Sequence, residues 1–149
     1  MMKSVYRHRQ FGTFSVAAIV AAIVLALVVG GPALAHPALQ ILLGVLAVVM
    51  VVFSSLTVEV HPSTLVFWFG PGLLRKTVPM GEIASVEPVR NPWYYGIGLR
   101  LTPRGMLYSV SGLSAVEITR RGGHRFRLGT DEPERLCAAI EKARARFSE

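Results

Sequence analysis

The feature that most constrains this chain is a long stretch without charge. Between Arg9 and Glu59 the sequence has no Lys, Arg, Asp or Glu, and His36 is the only titratable side chain there. A surface in contact with water seldom goes that far without charged groups. Two apolar segments, residues 11–30 and 39–56, flank a connector that contains glycine and proline. Because about 20 helical residues cover the ~30 Å bilayer core, we predict a transmembrane α-hairpin over residues 11–56.

The charges on either side of this stretch predict an orientation. Lys3, Arg7 and Arg9 precede it, its connector has none, and many basic residues follow. The positive-inside rule then predicts a multi-pass protein of the cell (inner) membrane with both termini cytoplasmic. The alternative is a buried hairpin of a soluble bundle, which is disfavoured because neither helix has a polar face. The Ala33-Leu34-Ala35 sequence resembles a signal-peptidase site, and whether it is cleaved stays open.

Charged residues are concentrated in the last part of the chain, which indicates a three-part organisation. We expect a basic cytoplasmic tail at residues 1–10, the hairpin at 11–56 and a cytoplasmic domain at 57–149. All nine acids, and 13 of the 16 basic residues, follow Thr57. Basic residues outnumber acids here, but the two are too intermixed to indicate a nucleic-acid partner. A mild positive excess of this kind is typical of a domain beside an anionic surface. Cys137 is the only cysteine, which excludes an intramolecular disulfide.

The periodicity of residues 57–149 predicts a small all-β or α+β domain. Alternating apolar residues indicate about seven short antiparallel strands. One of these strands covers residues 96–103, with Leu99 and Leu101 facing the core. The chain ends in an amphipathic helix with one apolar stripe, which consists of Leu136, Ile140, Ala143 and Phe147. The order predicts a strongly bent sheet or open barrel that is capped by the C-terminal helix.

The succession of motifs in this domain resembles the bacterial PH-like (pleckstrin-homology-like) families of membrane proteins. The resemblance is carried by "FWFGPGLLRKTVPMGEIASVEPV" and "GIGLRLTPRGMLYSVSGLSAVEITRRGGHRFRLGTDEPERLCAAI", within residues 57–147. It implies a PH-like bent barrel of seven strands with a helical cap, beside one or two transmembrane helices. It implies no reaction, and it supplies no catalytic residues.

The stretch at residues 91–108 raises the question of a binding surface. Aromatic side chains are favoured at a membrane interface, and basic ones meet anionic lipid head groups there. The candidate contacts with lipid or a partner are Trp93, Tyr94, Tyr95, Arg75, Lys76, Arg90, Arg100 and Arg104. The alternative is that this stretch only shapes a sheet. Gly96 and Gly98 then allow close strand approach, and Pro103-Arg104-Gly105 forms a hairpin turn.

Catalytic constellations are not found in the sequence. The four histidines lack metal-ligand spacing, the acids are scattered singly, and no nucleotide-binding or nucleophile motif occurs. We therefore expect no enzyme, no cofactor and no metal. The predicted function is a membrane-anchored binding or scaffold module that recruits a protein partner, for which a sheet edge is one candidate surface. The alternatives are a peripheral module that senses anionic lipid and a small membrane enzyme.

Overall fold

The computed structural model describes residues 3–96 and 98–149. Met1 and Met2 of the predicted tail, and Ile97 of the strand predicted at 96–103, lie outside the described residues. The described residues form three α-helices, α1 (Thr13–Val29), α2 (Pro37–Val52) and α3 (Pro133–Phe147). They also form nine strands, which are β1 (Tyr6–Phe11), β2 (Ser55–Val60), β3 (Thr64–Phe69), β4 (Leu74–Pro79), β5 (Ile83–Arg90), β6 (Gly98–Thr102), β7 (Gly105–Ser109), β8 (Ser114–Arg120) and β9 (Arg125–Gly129).

Two sheets face each other across one core. The first is four-stranded with the order β1-β2-β3-β4, and the second is five-stranded with the order β5-β8-β9-β7-β6. Alternate residues of β3 point inward, because side chains along a strand alternate between its two faces. One of them is Phe67, whose ring centroid lies 4.9 Å from that of Tyr108 and 5.8 Å from that of Phe126. Aromatic contacts of this kind join the two sheets.

The predicted C-terminal helix is present as α3 and packs against β2, β5 and β8. Leu136, Ile140 and Ala143 are buried on it as the stripe predicts, whereas Phe147 at the end is exposed. Cys137 is also buried, and burial raises the pKa of its thiol to about 11. The thiol is therefore protonated at neutral pH and is a poor nucleophile.

The predicted transmembrane hairpin is wrong. Helices α1 and α2 have 17 and 16 residues, which is about 26 and 24 Å at the usual helical rise. Within residues 3–96 and 98–149, no helix combines the length and the apolar character that crossing a membrane requires. The predicted spans are too long because strand ends share the charge-free stretch. Phe11 belongs to β1, and Ser55 and Leu56 belong to β2.

Two further predictions are corrected with the hairpin. We predicted a multi-pass protein of the cell membrane with both termini cytoplasmic. This prediction depended on the two membrane spans and is wrong, because the described helices cannot span a membrane. The single barrel of about seven antiparallel strands is also wrong, since the described strands form two separate sheets. One pair, β7 and β9, is parallel, with Met106 opposite Phe126 and Tyr108 opposite Leu128.

The segment assigned to a basic tail is partly a strand of the first sheet. Strand β1 pairs with β2 along its whole length, so the α1–α2 hairpin is the connection between two neighbouring strands. The Tyr6 hydroxyl donates to Glu132 at 3.1 Å, and His8 Nε2 lies 2.5 Å from the Asp131 carboxylate. Burial raises the pKa of Tyr6, and the hydrogen bond from Arg135 lowers the pKa of Glu132. These contacts join β1 to the segment that precedes α3.

Candidate binding groove

The space between the two sheets is closed on one side and open on the other. Helix α3 closes the side next to β5 and β2. On the opposite side, the edge strands β4 and β6 line two adjoining cavities that share Lys76, Met106 and Tyr108, and together these form the groove. Among the described residues, no strand pairs with the free edge of either one. Unpaired backbone N–H and C=O groups at such edges can receive another strand.

Aromatic and sulfur-containing side chains form the floor of this groove. Phe67 on β3, Met106 and Tyr108 on β7, and Phe126 on β9 line it from below. Register explains their position, because Met106 and Tyr108 lie opposite Leu101 and Leu99 of β6. Phe67, Tyr108 and Phe126 are buried members of the hydrophobic core, so the groove lies directly over the core.

Four exposed leucines form the rim. Leu99 and Leu101 on β6 are 41% and 82% exposed, and Leu73 and Leu74 at the start of β4 are 67% and 42% exposed. Leu99 and Leu101 lie on the core-facing side of β6, as predicted, but both remain exposed because the described residues do not cover them fully. Clustered exposed apolar side chains of this size mark interaction surfaces.

A single cation lies in the middle of the groove. Leu74, Lys76 and Val78 share the inward face of β4, opposite Phe69, Phe67 and Leu65. The Lys76 ammonium lies 5.8 Å from the centroid of the Tyr108 ring. Within residues 3–96 and 98–149, no carboxylate forms an ion pair with Lys76. A lysine that points inward from an edge strand also discourages unspecific strand pairing.

One end of the groove is more basic than the rest. Arg120, His124 and Arg125 line this end. Two of these cations already have partners, because Arg120 pairs with Glu82 and Arg125 lies 3.8 Å from Glu117. Among the described residues, the groove-lining cations without an ion pair are therefore Arg75 and Lys76.

The three predicted aromatic contacts do not lie in the groove. Trp93–Tyr95 forms a 3₁₀ turn, with Trp93 80% and Tyr94 68% exposed. Tyr95 is half-buried, and the Arg127 guanidinium lies 5.9 Å from its ring centroid. This turn therefore lies against the outer face of the second sheet.

The predicted basic contacts are spread over the molecule. Lys76 and Arg75 line the groove, and Arg75 also lies over the Trp68 ring at 5.0 Å. Arg90 ends β5, at the opposite edge of the second sheet. Arg100 is on the outer face of β6 beside Gly96, and Arg104 is in the turn after β6. The structure thus brings together only two of the five basic candidates.

The sequence pattern does not reveal that the outer face of the second sheet contains a buried ion pair. Arg127 Nε donates to Glu117 at 2.9 Å, and its NH1 donates to the side-chain oxygen of Asn91 at 2.9 Å. The alternation of side chains along β8 and β9 places Glu117 and Arg127 on the outward face of the sheet, where exposure to solvent is expected. The turn that follows Asn91 covers them, so that Glu117 is 2% and Arg127 8% exposed.

Comparison with known proteins does not assign this chain to a family. Comparison with protein-family models, curated proteins and solved structures gives no match. Among the residues that the structure describes, no group of three or more His, Cys, Asp or Glu is placed to hold a metal ion. The resemblance to PH-like domains stays a prediction from sequence motifs.

Proposed function

We propose that this chain is a non-catalytic binding module that takes up an extended segment of a protein partner between β4 and β6. One observation carries the proposal. Two unpaired sheet edges line the same groove, and exposed leucines lie along both of them. An extended segment that adds to a sheet edge gains main-chain hydrogen bonds, and its alternate side chains enter the groove.

The energetics of the rim fit a reversible complex. Full burial of a leucine side chain contributes about 1.5–3 kcal/mol, and the four rim leucines are already partly covered. Loss of translational and rotational freedom on association opposes this gain by about 4 kcal/mol or more. The leucines alone therefore leave little net gain, and hydrogen bonds at the sheet edge supply the rest. We expect a dissociation constant no tighter than micromolar, which corresponds to about −8 kcal/mol.

The alternative of anionic lipid head groups has weaker support. A head-group surface needs its basic and aromatic side chains on one face. The predicted set instead divides between the groove, the outer face of the second sheet and the far end of β5. The groove also has an apolar floor, which favours a peptide with alternating side chains over a phosphate group.

Selection from a random-peptide display library on the immobilised full chain tests the proposal. We expect the recovered peptides to bind with micromolar affinity, and Leu101→Arg to weaken that binding about tenfold or more. Leu101 is 82% exposed, so this substitution leaves the fold intact. Leu25→Arg is the matched control, because Leu25 is also exposed but lies on α1. Calorimetric titration of both variants gives the affinities.

Two results would contradict the proposal. One is a set of recovered peptides that bind the wild type and Leu101→Arg equally. The other is a dimer of the wild type that Leu101→Arg converts to a monomer, seen by light scattering without any peptide. That result would assign the groove to a second copy of the chain.

A further inference from the structure

We propose that the groove selects a segment in which one acidic residue lies between two apolar residues, in the order apolar-x-acid-x-apolar. This inference rests on the proposed function and adds the chemistry of the partner. It depends on the position of Lys76 within the groove and on the side chains at either side of it.

The inward face of β4 has the complementary order. Leu74, Lys76 and Val78 are successive residues on this face, so an apolar side chain precedes and follows the cation. Inward side chains on one strand are about 6.6–6.8 Å apart. A segment added as a strand has the same spacing at every second residue. Its central inward side chain then meets Lys76, and the neighbouring two meet apolar surface.

The two apolar regions beside Lys76 are both large enough for a side chain. One lies towards Leu74, with Phe69 and Leu99 around it. The other lies towards Val78, where Phe126 and Leu101 supply apolar surface and the ion-paired Arg120 and Arg125 also line the wall. Lys76, Met106 and Tyr108 line both regions and so mark the middle of the groove.

Electrostatics favour a carboxylate at the central position. Lys76 has no ion-pair partner among the described residues, whereas Glu82 and Glu117 are paired with arginines. A bound segment removes water from the ammonium, which is costly unless an opposite charge replaces the water. A carboxylate supplies that charge together with a strong hydrogen bond. A lysine in the segment would instead meet a like charge.

Three synthetic peptides that differ only at the central residue test this inference. Each has leucine at both flanking positions, and the central residue is Glu, Gln or Lys. We expect the full chain to bind the Glu peptide about tenfold or more tightly than the Lys peptide, with Gln between them. Lys76→Glu is expected to reverse this order. Lys142→Glu, on the exposed side of α3, is the matched charge reversal and is expected to leave it unchanged.

The outcomes separate this inference from the proposed function. Equal binding of the three peptides, still lost in Leu101→Arg, would overturn the acidic selectivity and leave the groove as a binding site. A preference for Glu that persists in Lys76→Glu would also overturn it. If neither these peptides nor the displayed library binds the groove, the proposed function itself is overturned.

Discussion

Replacing Arg127 with methionine is expected to lower the free energy of unfolding by about 3–5 kcal/mol. The substitution leaves the Glu117 carboxylate, which is 2% exposed, without its closest cation. Arg125 is the remaining basic neighbour at 3.8 Å, and its side chain is 50% exposed, so it compensates poorly. Asn91 also loses the hydrogen bond that its side-chain oxygen accepts. Urea denaturation of the wild type and the variant measures the difference.

A double variant isolates the cause of this loss. Glu117→Leu combined with Arg127→Met removes both charges, and we expect it to be more stable than Arg127→Met alone. Arg121→Met is the matched control at an exposed arginine in the next turn, with an expected change below about 0.5 kcal/mol. A loss of stability in Arg127→Met no larger than in this control would contradict the buried pair.

The second large effect is expected for Gly105→Ala, with a loss of about 3 kcal/mol or more in unfolding free energy. Gly105 begins β7 with φ +102°, a conformation that residues with a side chain rarely adopt. A Cβ at this position would clash with the backbone carbonyl oxygen of Arg125. Strain and the clash with β9 therefore act together.

Gly112→Ala separates the clash from the strain. Gly112 also has positive φ, at +70°, but a Cβ there would meet nothing within 4 Å. We expect a smaller loss of about 1–2 kcal/mol, which is the strain alone. Thermal or urea unfolding of both variants gives the comparison. Equal losses in the two variants would show that the approach of Arg125 to Gly105 does not restrict the fold.

Local periodicity predicted the individual elements of this chain better than their arrangement. The stripe with Leu136 and Ile140 correctly indicates α3, and strand patterns are correct where apolar alternation is strong, as in β8 and β9. The absence of charge between Arg9 and Glu59 led to the wrong prediction of two membrane spans. Apolar strand ends and apolar helices have the same composition, so the strand ends were counted as parts of the helices. Pairing of β1 with β2 is a long-range contact that no local pattern reveals.

The groove was unpredictable for a related reason. Leu99 and Leu101 have the alternation of a strand that faces a core, and only strand order shows that β6 is an edge. The sequence does indicate Lys76 as a candidate contact with lipid or a partner. Its place in the groove depends on the register of β4 against β3, where it lies opposite Phe67. The burial of Glu117 could not be predicted either, because it depends on the turn after Asn91, which covers the outward face of the sheet.

Amide hydrogen exchange of the full chain, with and without the peptide that has glutamate at its centre, tests the groove most directly. A strand added at a sheet edge forms hydrogen bonds to the edge amides and slows their exchange. We predict slower exchange in β6 or β4 when the peptide is bound, with unchanged exchange in α3 and in the Trp93–Tyr95 turn. Peptide binding that leaves both edge strands unprotected, or that protects the turn instead, would contradict the groove as the binding site.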